Sequence, residues 1–435
     1  MIRRILFLLL PLGFTVASSA QEAMSLADCI EYALTNHPDV HLAQLSMKDA
    51  DWQIKENRSD AYPKFSLGID AQHYLLQPAL PAEALGFEGA PPGTKVKFAL
   101  KNNYSGRISY DQLLFNSDYI VSLKAAKMYR DYAELQLETV KERVRDDVTD
   151  AYLPALVITE SIAVLDKNIT NQEDLLKETK ATFGAGFLEQ LDVDRVDYVV
   201  STLKTLRESQ IRQRDMMLDR LKFTMNKPLT DVLTLTDNVD KLLADYDDVN
   251  PAEVLDYMNR PQYVQMLKAR ELSDVQVEVY QKDWLPKVSF FASYNPSFQG
   301  EHNLYWIPSS IIGLSLSMPI YDGGWSDAKE ERAVVSTLKL DEQKATLVRS
   351  LDLQLELARK QYDNSKQNME DQQHNLTLAQ RIHDTAQTKF KEGVGSSFEV
   401  TQAQASLFQT ERSLIEARYA FLQAIVDLRK ALGKI

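Results

Sequence analysis

Residues 183–193 read FGAGFLEQLDV and residues 390–400 read FKEGVGSSFEV. Phe183 matches Phe390, Asp192 matches Glu399 and Val193 matches Val400, each 207 positions on. Long runs without helix breakers flank both stretches. Glycine is absent between 106 and 184 and between 324 and 393, and proline is absent from 155 to 227 and beyond 319. Because these residues punctuate helices, the spacing predicts long helices over 116–182, interrupted only by Pro154, and over 326–389. At 1.5 Å per residue each reaches about 100 Å. Val140, Val144, Val148 and Ala151 form one apolar stripe, and Leu347, Leu351, Leu355 and Ala358 form another. Narrow stripes on polar helices point to coiled-coil packing. Pro154 is expected to bend its helix. Return helices are expected over 192–227 and 399–432, after tips at 183–191 and 390–398.

The repetition extends outward. Asn36-His37-Pro38 recurs as Asn259-Arg260-Pro261, and Pro63-Lys64 as Pro286-Lys287, both at an offset of 223. Asn226-Lys227 and Gly433-Lys434 close the copies at the offset of 207. The chain is therefore a unit of roughly 210 residues twice over, at 21–228 and 250–435, joined by a linker at 229–249. Each copy is expected to open with a helix of about thirty residues. Ser25 with Asp28 caps the first, and Asn250-Pro251 with Glu253 the second. Alternation follows. Phe65, Leu67, Ile69 and Ala71 alternate with Ser66, Gly68, Asp70 and Gln72, and Ile312, Leu314, Leu316 and Met318 with Gly313, Ser315 and Ser317. Weaker alternation surrounds Ile108 and Tyr110, and Val288, Phe290 and Ala292. Strands are expected at about 62–74, 103–115, 286–294 and 309–321, long enough to cross a bilayer when tilted. Trp284, Trp306 and Trp325, with Tyr62, Tyr110, Tyr305 and Tyr321, suit interfacial girdles. The loops at 75–102 and 295–308 read as irregular and exposed.

Of the 435 residues, 49 are Lys or Arg and 62 Asp or Glu, a net charge of −13. That acidity argues against a nucleic-acid partner, which requires a basic face. A single cysteine, Cys29, excludes a disulfide framework and thiolate zinc sites. Arg3 and Arg4, the apolar run Ile5–Val16 and then Ala17-Ser18-Ser19-Ala20 read as a signal peptide over 1–20, cut before Gln21. Beyond residue 20 no stretch of 18 apolar residues occurs, so a membrane would be crossed by strands. Four strands cannot close a barrel, and open edges in lipid cost several kcal/mol per unpaired group. Two copies would supply eight strands and three would supply twelve, wide enough for a pore. A soluble periplasmic coiled-coil scaffold is the competing reading, separated by membrane fractionation.

The order of helix, hairpin, long helix, tip and return helix, made twice, resembles the outer-membrane efflux protein (TolC) family. The residues that carry the resemblance are Leu26–Val40 (LADCIEYALTNHPDV), Tyr62-Pro63-Lys64-Phe65-Ser66-Leu67 and the two tips. It implies an α+β membrane protein with this duplicated unit. Its trimer would form a twelve-stranded β-barrel in the outer membrane of a Gram-negative bacterium, continuous with a long periplasmic α-helical barrel. It implies an exit duct of a tripartite efflux or type I secretion system rather than an enzyme. Docking of a periplasmic adaptor (membrane fusion protein) and an inner-membrane pump of RND, ABC or MFS type would open the tips. The segment 229–249 would belong to an equatorial belt.

Gly184, Gly186, Gly393 and Gly395 stand where the chain reverses and needs φ > 0, and where an adaptor would dock. Asp192 and Glu399 suit the positive end of a return helix. On a threefold axis three such carboxylates would face one another and attract cations. The resemblance places an acidic constriction at Glu399. Three residues on stands Gln402 in place of a second acid, and Gly395 replaces the arginine expected beside the glycine. Phe183 and Phe390 read as packing aromatics before each tip. His37 and His41 have zinc spacing, but Pro38 lies between them and no third ligand is evident. Asp245, Asp247 and Asp248 lack the glycine and closing glutamate of a calcium loop. No phosphate-cradling loop, nucleophile elbow, triad or cofactor pattern appears.

Overall fold

The computed structural model describes residues 22–434 except 88, 90, 247 and 248. The leader over 1–20 and its cleavage site lie outside the described residues. In chain order the elements are β1 (Glu22–Met24), α1 (Leu26–Asn36), α2 (Pro38–Ser59), β2 (Lys64–His73), β3 (Ala79–Pro81), β4 (Lys95–Lys97) and β5 (Asn102–Phe115). Then come α3 (Ser117–Gly184), α4 (Gln190–Thr224), β6 (Leu233–Leu235), α5 (Val239–Asp245) and α6 (Pro261–Gln281). The last are β7 (Lys287–Asn295), β8 (Ser297–Gly300), β9 (Tyr305–Trp306), β10 (Ser309–Ser317), α7 (Trp325–Lys391) and α8 (Ser397–Leu432). Two units partition the chain. One takes the residues through Ala43, Leu137–Pro261 and those from Val348 on; the other takes Gln44–Gln136 and Gln262–Leu347.

The second of these is built on a sheet. Its four long strands run β2, β5, β7, β10, each antiparallel to its neighbours. Register sorts the side chains by face. Phe65 pairs with Tyr110, Leu67 with Ile108, Ala292 with Ile312 and Phe290 with Leu314, which gathers the apolar residues on one face. Phe65, Tyr110 and Phe290 form an edge-to-face row with centroids 5.1 and 5.8 Å apart. Opposite lie Ser66, Asp70, Arg107, Ser109 and Ser293; the hydroxyls of Ser66 and Ser109 are 2.5 Å apart. Phe291 breaks the alternation for a reason. It pairs with Gly313, and a Cβ on Gly313 would lie 2.7 Å from its ring, so the glycine clears space for a ring on the polar face. The apolar face is exposed: Leu67 is 69% accessible and Leu314 likewise 69%. β2 and β10 each have one strand partner among the described residues, leaving two open edges.

The structure departs from these expectations at several points. β10 ends at Ser317 rather than near 321, because Pro319 has no N–H to give a ladder. The connections are not merely irregular, since one contains the β3–β4 pair and the other the β8–β9 hairpin. In the latter, Phe298 packs on Trp306 with centroids 4.6 Å apart. Nor does each copy open with a thirty-residue helix. His37 is extended (ψ 132°) between α1 and α2, as expected of a residue before proline. The second copy has only the 21-residue α6. Asn250 there caps a turn, its side-chain oxygen accepting from Ala252 N–H at 3.1 Å. Asp256 likewise accepts from Met258 N–H in a 3₁₀ turn (2.9 Å).

The other unit is helical. Ser25 and Asp28 make the capping box of α1, with N–H to oxygen distances of 3.2 and 2.9 Å. β1 lies parallel to β6, a pairing the linker sequence does not announce. Next to it Asp237, its side chain 4% exposed, accepts from Leu26 N–H (2.8 Å) and the Tyr152 hydroxyl (2.9 Å). Burial, then this bond, push the Tyr152 phenol well above its ordinary value. Val144, Val148, Ala151, Leu351, Leu355 and Ala358 are all buried. α3 continues through Pro154. One 18-residue window of α3 is apolar enough by composition to span a membrane without being an unbroken apolar run, and half of it is buried within the protein, as in a core helix.

The duplication reaches the backbone. Asn226 and Gly433 both adopt left-handed φ (59° and 72°). Each is followed by a matching closing bond, Lys227 N–H to Lys222 O (2.8 Å) and Lys434 N–H to Arg429 O (2.9 Å). Asn226 donates its side chain to the Asn36 carbonyl at 3.0 Å. At the equivalent place a Cβ on Gly433 would lie 2.7 Å from the Asn259 carbonyl oxygen. Gly433→Ala should therefore destabilise the fold by more than the ~1–2 kcal/mol of left-handed strain and lower Tm accordingly. Gly186→Ala, whose Cβ meets nothing within 4 Å, should cost the strain alone. Equal Tm values for the two variants would contradict this.

Candidate functional site: the paired helical tips

Both tips are one turn made twice. Gly186 N–H bonds to Phe183 O (2.8 Å) and Phe187 N–H to Thr182 O (3.2 Å); Gly393 N–H bonds to Phe390 O and Val394 N–H to Lys389 O, both 3.0 Å. That is a Schellman closure, with a left-handed glycine just past the helix end. The φ angles are 82° at Gly186 and 76° at Gly393. Gly184 and Gly395 differ from the expectation. Gly184 is the last residue of α3 and its φ is not positive. Nor is that of Gly395, where a Cβ would lie 2.9 Å from the Lys389 Cβ, so that glycine serves close approach.

The return helices begin on matching caps. Ser396 accepts from Glu399 N–H at 3.2 Å, while Glu189 N–H donates to Asp192 at 3.3 Å. Asp192 then does something Glu399 does not. Its other oxygen accepts from the hydroxyl of Ser397, at 2.8 Å, and so ties the first tip to the second. Ser397 is buried. Alongside, the Arg195 guanidinium lies 5.6 Å from the Phe398 ring centroid, and Leu175, Val196 and Val400 form a buried cluster on which Phe390 packs. Phe183 remains 38% exposed. Glu399 and Gln402 are exposed; with Phe398, Arg381 and Lys389 they line a hollow of about 490 Å³ between α7 and α8. Asp192 and Glu399, paired by sequence, are thus separated by environment. Ser397, Arg195 and Phe398 carry no sequence signal, because only the packing of one copy on the other gives them partners.

His37 uses Nδ1 to accept from Asp39 N–H at 3.1 Å, and Cys29 is buried. Among the described residues no group of metal-ligating side chains is assembled.

The profile of the outer membrane efflux proteins matches residues 29–206 and again 257–434, one match for each copy. The chain belongs to the outer membrane efflux protein family. It is 24% identical over 315 residues to the pyoverdine export outer membrane protein OpmQ of Pseudomonas aeruginosa, covering 72% of this chain and 64% of OpmQ. To the outer membrane protein TolC of Escherichia coli it is 21% identical over 454 residues, covering all of this chain and 87% of TolC. The crystal structure of the outer membrane protein VceC from Vibrio cholerae shares its fold, with a TM-score of 0.71 at 14% identity over 94% of this chain and 96% of that one. As an outer membrane efflux protein the chain is a transport component of the Gram-negative outer membrane with a large periplasmic part. Family members are channel components of export systems rather than enzymes. A soluble scaffold is not favoured.

Proposed function

We propose that this efflux protein is the exit duct of a tripartite efflux or type I secretion system, closed at its helical tips and opened when an adaptor and pump dock. The observation that carries the proposal is the row of four long strands in the sheet, with an exposed apolar face and two open edges at β2 and β10. Unpaired backbone in lipid is costly, so other copies complete the sheet, and three give a twelve-stranded barrel wide enough to conduct. The repeated tips then surround one axis. Glu399, exposed at the start of α8, supplies one carboxylate per copy to the constriction, and Gln402 supplies no second. That OpmQ is a pyoverdine export protein supports a partnership with an adaptor and a pump of RND, ABC or MFS type.

Detergent-extracted protein in planar bilayers is expected to give discrete conductance steps that prefer cations, and Glu399→Gln to reduce that preference severalfold by removing the ring charge. If neither protein conducts, the duct reading fails. If both conduct with the same ion preference, the pore stands and Glu399 is not its constriction.

A further inference from the structure

Most side chains buried along α3 are apolar, but Asn168 is 2% exposed and Gln172 1%, and on α8 Gln404 is 4% exposed. Asn168 joins the two helices. Its oxygen accepts from Gln404 Nε2 at 2.5 Å, and its Nδ2 donates to Glu411 at 2.8 Å and to the Val164 carbonyl at 2.9 Å. Lys167 lies 4.0 Å from Glu411. Apolar clusters sit on either side, Leu165, Ile169 and Leu203 on one and Leu175, Val196 and Val400 on the other. A polar bridge in such a seam is satisfied only when its partners are opposite, and so selects one register.

Gln172 behaves differently. Its buried Oε1 has no hydrogen-bond partner among the described residues. It lies four residues on from Asn168, hence on the same helix face and one turn nearer the tip. α3 runs towards the tip and α8 away from it. A slide of α8 by one turn tipward, about 5.4 Å, would carry the Gln404 amide from Asn168 to Gln172. Glu411, which follows Gln404 on α8 and lies on the other side of Asn168, would remain beside it. We propose that the Asn168–Gln404–Glu411 bridge sets the register of α8 on α3, and that Gln172 is the acceptor for a second register one helical turn tipward. The seam then has two discrete positions, the form that switching by helix displacement takes. The inference goes beyond the duct reading, and its test does not depend on conduction.

Disulfide trapping in the full-length membrane protein, with Cys29→Ala as background, distinguishes the registers. Leu175→Cys with Val400→Cys reports the present one, since both residues belong to one cluster. Thr179→Cys with Val400→Cys reports the shifted one. In the parent the first pair should form and the second should not. Asn168→Leu is expected to raise the ratio of second to first by about tenfold or more, and adding Gln172→Leu to remove that gain. Asn168→Ala takes its place should the leucine variant not accumulate. An unchanged ratio in a variant of parental Tm, or a rise indifferent to Gln172, overturns the proposal.

Discussion

Leu67→Arg should remove the protein from the outer-membrane fraction, while Ser66→Arg, one residue away, should leave it there. The two side chains point to opposite faces of β2. Leu67 pairs with Ile108 on the face that carries Phe65, Tyr110, Phe290 and Leu314, and Ser66 pairs with Ser109 on the polar face. An arginine on the lipid side near the bilayer midplane costs about 2–4 kcal/mol, whereas the lumen side tolerates charge. In the proposed assembly every copy would bear the same cost, so the effect would multiply. Density-gradient fractionation of envelopes reads the outcome directly. Equal retention of both variants would mean that the apolar face is not the lipid face.

Asp192→Ala is expected to raise the fraction of time the tips stand open by about tenfold, and Asp192→Asn to raise it by less. Alanine removes the acceptor of the Ser397 hydroxyl; asparagine keeps an oxygen in place. Hydrogen bonds to a charged group contribute about 1.5–3 kcal/mol. Because Asp192 is only partly buried, the lower end applies, and that corresponds to roughly one power of ten. Alanine also removes the cap on Glu189 N–H, so Ser397→Ala supplies the cleaner comparison. It should reproduce the effect, and the double variant should add nothing, as a shared contact requires. Resting conductance, or uptake of a large antibiotic by cells lacking the pump, measures the change. Were asparagine as damaging as alanine, the charge of Asp192 would matter rather than its bond to Ser397.

What the sequence disclosed depended on range. The alternation of Phe65, Leu67 and Ile69 with Ser66, Gly68 and Asp70 is local, and so were the two faces it described. The valine and leucine stripes of α3 and α7 are local too, and their buried members follow the helical period. The glycines of the tips are visible as a pair of pairs, and at the offset of 207 only Gly186 and Gly393 coincide; geometry decides which member of each pair turns the chain. That depends on the residue count from the last helical carbonyl, and it selects Gly186 and Gly393. The break at His37 is local as well, since Pro38 disfavours helix at the residue before it. The short β1–β6 pairing and the Asp237 bonds to Leu26 and Tyr152 join residues too far apart for any pattern to reveal. The link from Asp192 to Ser397 is of the same kind: sequence symmetry suggested that Asp192 and Glu399 are equivalents, and packing gave a cross-copy partner to only one.

The order in which the strands meet has a consequence for biogenesis. β2 and β5 are the two long strands of the first copy, but β5 needs β7, and Ile108 pairs with Tyr294, 186 positions later. At about 5–20 residues per second, the segment of the first hairpin waits roughly ten to forty seconds before its other partner has even been synthesised. Throughout that interval it presents a greasy face and an unpaired edge, the features that template aggregation. Half-made chains are therefore the most vulnerable form of this protein. Substitutions that slow emergence between the two hairpins should lower yield without touching the finished fold.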